Sequence, residues 1–127
     1  MAVTHPTASR NAMAEAIRTI ANTGATPLLV IGTSALSGAT GVLCTVGIPD
    51  FGAASAGVIT SAANTNNAVA SATGTAALAE VRAADGTTVA FAGAVAVGSG
   101  EVQISSTAIV SGDTVTLTSN VTWTAPP

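Results

Sequence analysis

The sequence predicts an all-β protein, a β-sandwich, with one short helix at its N-terminal end. Apolar and polar residues alternate along residues 75–97 and 101–123, and turn residues such as Asp85-Gly86 separate the alternating runs. Apolar spacing of three and four residues is confined to residues 7–23 and predicts the helix. About seven short strands with regular turns are typical of a sandwich or a barrel.

The predicted helix has signals at both ends. Thr7 follows a proline and is expected to cap the free amides of the first turn. Gly24 stands where a residue in the left-handed conformation ends many helices, and Pro27 prevents the helix from resuming. The helix is therefore expected to span residues 7–23, with strands after Pro27.

One apolar stripe runs along this helix. Met13, Ile17 and Ile20 recur at spacings of four and three residues. Because so narrow and short a stripe leaves a helix marginal by itself, we expect the helix to dock on the domain or on a neighbouring subunit. We predict an N-terminal arm and helix at residues 1–24, a β-sandwich domain at residues 25–127, and intersubunit contacts by the three stripe residues.

The first half of the β region is expected to contain strands at residues 28–33, 41–48 and 57–62. The stretch 64–74 consists of small and polar residues and is expected to be a loop. In the strand at 41–48, alternation places one set of apolar side chains on a single face: Val42, Cys44, Val46 and Ile48.

The run from residue 75 to residue 97 predicts a hairpin, for which two loops are open. A three-residue loop at 84–86, whose last residue is in the left-handed conformation, places Val81 beside Val89. A two-residue turn instead places the charged Arg82 beside Val89. We favour the three-residue loop because it keeps charge off the apolar face.

The last two predicted strands are residues 101–105 and 114–123. Val115 and Leu117 are expected to face inward in the second of them. Trp123, the single tryptophan of the chain, is expected on the same face of this strand as Val115 and Leu117. We therefore expect it in the core rather than at a carbohydrate-binding surface.

Composition and charge exclude several classes of protein. Charged residues make up 7% of the chain, lysine is absent, and the formal net charge is −3. Because nucleic-acid binding depends on neutralising phosphates with Lys and Arg, we expect no nucleic-acid partner. The single cysteine cannot form an internal disulfide. The sequence shows no secretory signal and no apolar run of membrane-spanning length, so we expect synthesis in the cytoplasm and no membrane partner.

Residues that could perform chemistry are few and scattered. His5 lies in a short lead before the helix, and Cys44 is expected to be a buried structural thiol. A nucleophile built from these two residues is the remaining enzyme hypothesis, and we predict no enzyme, no cofactor and no metal site. Asp85 occupies a turn position where Asp is common. Glu80 and Arg82 are interpreted as a solvated or interface pair.

Five segments carry a resemblance to a known family: Thr4–Ala12, Pro49–Ala54, Gly74–Ala77, Arg82–Thr87 and Ile109–Val115. Over nearly its whole length the chain resembles a group of small virion proteins of tailed bacteriophages. The shared motifs are turns and helix caps, so the resemblance carries over no active site.

The resemblance implies a structural part of a phage particle. It favours a head decoration (cement) protein that binds the major capsid protein and stabilises the capsid lattice, with a tail- or fibre-associated structural or binding module as the alternative. Many such cement proteins are β-sandwiches or jelly rolls that sit on the lattice as dimers or trimers. The resemblance therefore also implies a homo-oligomer located on the capsid surface of the virion.

The composition agrees with such a role. Ala, Thr, Ser and Val lose little conformational entropy when a contact fixes them, whereas Lys and Glu lose more. The absence of Lys also removes a common guard against pairing between exposed strand edges, which is tolerable where partners cover those edges.

Overall fold

Strands account for most of the regular structure in the residues that the computed structural model describes, which are 3–24, 26–61, 67–98 and 102–126. The predicted mainly-β fold with one short helix is confirmed. In chain order the elements are α1 (Thr7–Ala21), β1 (Leu28–Ser37), β2 (Thr40–Gly47), β3 (Val58–Thr60), β4 (Asn67–Val69), β5 (Gly74–Thr75), β6 (Leu78–Arg82), β7 (Val89–Ala96), β8 (Val102–Gln103), β9 (Ala108–Ile109), β10 (Thr114–Thr116) and β11 (Thr122–Thr124).

A curled five-stranded sheet forms the centre of the fold. Its strand order is β2-β1-β6-β7-β8, and neighbours are antiparallel except for the parallel pair β7–β8. Shorter antiparallel pairs join β4 to β10, β3 to β11 and β5 to β9. Leu29 of β1, Ile59 of β3 and Val115 of β10 belong to one hydrophobic core. The short pairs therefore cover one face of the sheet, which we call the inner face.

Side chains of the sheet alternate between the inner face and the opposite, outer face. Leu29 and Ile31 of β1 lie fully buried in the core, and Val30 between them points to the outer face. Opposite them on β6, Val81 faces the core and Glu80 faces outward. Val30 is nevertheless 2% exposed, so another part of the chain covers the outer face at this point.

One predicted facing is wrong in β2. Cys44 pairs with Ile31 on the inner face, whereas Val42 pairs with Gly32, which places Val42 on the outer face. Leu43 is the extra residue of a β-bulge between these two pairs and is itself 1% exposed. A bulge reverses the facing of the residues beyond it, and strict alternation does not reveal where a bulge will form.

The favoured register of the β6–β7 hairpin is also wrong. Val81 pairs with Phe91 instead of Val89, and Arg82 pairs with Val89. Ala90 is the extra residue between these two pairs. The resulting register shift gives Val81 an apolar partner, Phe91, on the inner face. The bulge that the hairpin needs therefore lies in strand β7 rather than in the loop.

The stretch predicted as a loop contains strand β4, which pairs with β10. Residues 64–66 of that stretch lie outside the described residues. The pairing joins segments that are distant in sequence, and such contacts override local preference. The predicted strand at 114–123 is likewise two separate strands, β10 and β11.

The helix α1 is packed on the strands. Its Ala14 and Ala21 are fully buried and belong to the same core as the sheet. The accessible surface of the chain is 6076 Å², close to the roughly 6000 Å² expected of a compact protein of this mass.

Thr7 does not cap α1 as predicted, because Pro6 is the N-cap residue and no side chain bonds to the first turn. Gly24 has the expected left-handed conformation, with φ of +90°. The division of the chain at residue 24 stays a prediction.

Candidate interaction surfaces

Polar residues of α1 fasten the helix to the segment that precedes β3. The Asn22 side chain, just after the helix, bonds to both backbone groups of Phe51. Its Oδ1 accepts from the Phe51 N–H at 2.9 Å, and its Nδ2 donates to the Phe51 carbonyl at 3.0 Å. The Glu15 carboxylate accepts from the Ala54 N–H at 2.7 Å. This bond, and then Arg18, hold the pKa of Glu15 below its ordinary value.

The arginines of α1 also turn toward the body of the protein. Arg18 donates to the Glu15 carboxylate at 2.9 Å and to the Phe51 carbonyl at 3.0 Å, and Arg10 donates to the Ala125 carbonyl at 3.3 Å. The exposed side of the helix is consequently uncharged and mostly small. We call it the outer helix face, and its residues are Thr7, Ala8, Ser9, Ala12, Ala16, Thr19 and Ile20.

The predicted contact residues lie at the margin of this face. Met13 and Ile17 are half-buried, and Ile17 packs against the hydrophobic core of its own chain. Ile20 is 37% exposed. Ile17 is thus largely used within the chain, while Ile20 remains accessible. The intersubunit role of all three residues stays a prediction.

A second candidate surface is a cavity of about 510 Å³ on the outer face of the sheet, which we call the outer trough. Its floor contains Val30, Glu80 and Arg82, and Val89 forms part of its wall. Its roof is formed by residues 36–39, at the tip of the β1–β2 hairpin. Val30 is 2% exposed although it lines this trough.

The Glu80–Arg82 pair lies in this trough. Of its two predicted interpretations, the solvated pair is wrong, because both side chains are largely buried. The side chains are 18% and 8% exposed. The Arg82 guanidinium donates from Nε to the Glu80 carboxylate at 3.0 Å, from Nη1 to the Gly86 carbonyl at 3.1 Å, and from Nη2 to the Gly38 carbonyl at 2.8 Å. Arg82 therefore ties strand β6 to its own loop and to the hairpin tip.

The two residues of the remaining enzyme hypothesis differ in burial. Cys44 is 1% exposed on the inner face, and this burial raises the pKa of its thiol. A protonated thiol inside the core is a poor nucleophile, and the predicted structural role of Cys44 agrees with this environment. His5 is half-buried in the segment before α1.

Trp123 is also half-buried and packs against the core beside Ile59, its partner in β3.

The turn role predicted for Asp85 is confirmed. Its carboxylate accepts from the Thr88 hydroxyl at 2.6 Å and from the N–H groups of Thr88 and Thr87 at 2.9 and 2.8 Å. The Thr88 hydroxyl, followed by these two amides, lowers the pKa of Asp85 from 3.8 to about 2. Asp113 acts similarly in its own turn by accepting from the Val110 N–H at 3.0 Å.

Within the described ranges, no group of three or more His, Cys, Asp or Glu residues is placed to hold a metal ion. No helix in those ranges has the length and apolar character needed to cross a membrane.

The fold and its two surfaces define a small mainly-β protein with a docked N-terminal helix. Comparison of the chain with protein-family models, with curated proteins and with solved structures gave no match. An assignment of function therefore depends on the residues and surfaces of this chain.

Proposed function

We propose that this protein is a structural component of a tailed-bacteriophage virion, a head decoration protein that binds the major capsid protein and stabilises the capsid lattice. The observation that carries the proposal is how the chain uses its positive charges. Arg10, Arg18 and Arg82 are its three basic residues, and each donates to carbonyl groups of its own backbone. No arginine is left on an exposed position to solvate the surface.

A surface of small neutral side chains suits a contact that is repeated many times. Fixing Ala, Ser and Thr costs less conformational entropy than fixing long charged side chains. A protein that binds the assembled lattice and not its dissociated parts stabilises the assembly by mass action. Weak contacts repeated over a shell then sum to a large effect.

The arrangement of strands supports a sandwich as the finer description of the fold. In this proposal the five-stranded sheet is one layer, and the short strand pairs that share its core are the other. Two β layers around one core are the defining feature of that architecture. A jelly-roll-like sandwich with a docked helix is also the architecture that the resemblance to phage cement proteins implies.

The outer helix face is the part of the surface that we assign to contacts between subunits in a dimer or trimer. It is uncharged, and Ile20 adds an accessible apolar side chain. Ala8, Ala12 and Ala16 recur every four residues along it, so a neighbouring element can approach the helix backbone closely. Met13 and Ile20 lie at its margin, where a second subunit would contact them.

The heat resistance of phage particles tests the proposed role. Particles that lack the protein are expected to release their genome at a lower temperature than complete particles, and addition of the purified protein should restore the difference. Ala12→Glu places a charge on the outer helix face and should restore less. Asn120→Glu, at another exposed position, is the matched control and should restore fully. Equal heat resistance with and without the protein would contradict the cement role.

One observation favours the alternative, a tail- or fibre-associated module. Thr114, Thr118 and Thr124 are exposed in or beside strands β10 and β11, and such a hydroxyl-rich surface can hydrogen-bond to a receptor. If labelled antibodies against the protein bind the tail and not the head of intact particles, this alternative replaces the cement role.

A further inference from the structure

The tip of the β1–β2 hairpin, residues 33–40, leaves the plane of the sheet. Pairing between β1 and β6 ends at Gly32. Beyond Gly32 the β1–β2 pairing is interrupted by a register shift and resumes only at Ser37 and Thr40, so residues 33–36 have no paired partner. We call residues 33–40 the strap.

Two glycines permit the bend at the base of the strap. A Cβ atom at Gly32 would lie 2.6 Å from the Gly41 carbonyl oxygen and 2.7 Å from Cδ1 of Leu36, distances that are too short for real contacts. Gly41 has a φ of +75°, in the left-handed region. The two glycines therefore allow the strap to fold back over the outer face of the sheet.

The strap covers the outer trough but does not fill it. Leu36 and Gly38 are among the residues of the roof, Val30 is at the floor, and about 510 Å³ lies between them and the other lining residues. Most strap residues are exposed, and none of them belongs to the hydrophobic core. Few packing contacts therefore hold the strap closed, and such segments open at low cost.

One hydrogen bond ties the tip of the strap to strand β6: Arg82 Nη2 donates to the Gly38 carbonyl at 2.8 Å. The same guanidinium is held in place by Glu80 and by the Gly86 carbonyl. Arg82 is thus a fixed, buried donor, and the strap supplies the acceptor that can leave.

We propose that the strap is a hinged cover, latched by Arg82, that opens in the free protein and uncovers the outer face of the sheet. Opening breaks the bond to Gly38 and rotates the strap about Gly32 and Gly41. It exposes Val30. Val89 is already 43% exposed in the closed form, so the exposed apolar surface on this face becomes larger. This inference concerns the isolated protein and does not depend on the proposed virion role.

Thiol labelling of a cysteine placed under the strap tests the latch. The reporter is Val30→Cys in a chain whose native thiol is removed by Cys44→Ala, probed with a bulky maleimide. With Arg82 intact, labelling should be slow. Arg82→Gln should accelerate it about tenfold or more, as expected for loss of a hydrogen bond from a charged donor. Arg18→Gln is the matched control, because Arg18 also donates to a carbonyl and to a carboxylate, and should leave the rate nearly unchanged.

Global unfolding is distinguished by the native Cys44, which is 1% exposed in the core. Because Arg82→Gln leaves Glu80 without its partner, the comparison uses the double change Glu80→Gln and Arg82→Gln, which removes the pair without a lone buried charge. In chains that keep Val30, the labelling rate of Cys44 should be nearly the same with the native pair and with the double change, whereas the double change should still accelerate labelling at the Val30 reporter. An unchanged rate at the Val30 reporter, or equal acceleration at both thiols, would overturn the proposal.

Discussion

Replacement of Asn22 by alanine tests how the helix is held to the strands. The substitution removes two hydrogen bonds, from the Phe51 N–H at 2.9 Å and to the Phe51 carbonyl at 3.0 Å. Phe51 is 2% exposed, so its N–H group is left without a ready replacement, whereas its carbonyl keeps the bond from Arg18. At about 1 kcal/mol for each net hydrogen bond, the expected loss is about 2 kcal/mol of unfolding free energy.

Thermal unfolding followed by circular dichroism measures this loss. For a chain of this length, about 2 kcal/mol corresponds to a fall in Tm of roughly 6–10 °C. Asn120→Ala is the matched control, because Asn120 is exposed, and it should shift Tm by about 1 °C or less. If Asn22→Ala and Asn120→Ala have the same Tm, the Asn22–Phe51 contact does not hold the helix and the account of its docking is wrong.

Three further substitutions probe the core, a turn and the base of the strap. Cys44→Ser places a hydroxyl in the core and should cost about 1–3 kcal/mol in a urea titration; an unchanged midpoint would contradict its burial. Because folding lowers the pKa of Asp85 from 3.8 to about 2, the carboxylate stabilises the native state above pH 3.8, and this stabilisation disappears as the pH falls through about 2. Asp85→Ala should therefore lower Tm at neutral pH and match the unmodified chain near pH 2; a difference that is independent of pH would refute this. Gly32→Ala should destabilise by about 1–3 kcal/mol because its Cβ meets Gly41, whereas Gly47→Ala, which has open space around it, should be nearly neutral; equal effects of the two would contradict the tight bend.

The elements that could be predicted from the sequence are those with strong local patterns. The alternation around Val81 and Phe91 indicated two facing strands, and both residues are indeed on the inner face. The left-handed glycine at position 86 was expected from its place in the hairpin loop and has a φ of +76°. Burial of Cys44 followed from its apolar neighbours two residues away on the same strand.

The errors come from irregularities that a period of two cannot represent. The bulge at Leu43 and the shift at Ala90 each insert one residue into a strand and reverse the facing beyond it. Strand β4 forms because β10 pairs with it, and nothing in its own three residues, Asn67 to Val69, indicates that partner. Each of these features is decided by contacts between distant segments.

The two candidate surfaces were predictable to different degrees. The Met13, Ile17 and Ile20 stripe identified the helix, but the docking of α1 depends on polar residues such as Asn22 bonding to backbone groups, which apolar spacing does not report. The outer trough was not predicted. Its available signal was the concentration of glycine at positions 32, 38 and 41, since a strand that carries so many glycines often bends or bulges.

The proposal predicts that the chain is encoded by a tailed phage, and electron cryo-microscopy of the intact particle of that phage tests it most directly. The proposal predicts density for this chain repeated over the capsid lattice, as a dimer or trimer in contact with the major capsid protein. Particles that lack the protein should show the same lattice without that density. Density for the chain confined to the tail or its fibres, with a bare capsid lattice in complete particles, would contradict the decoration role.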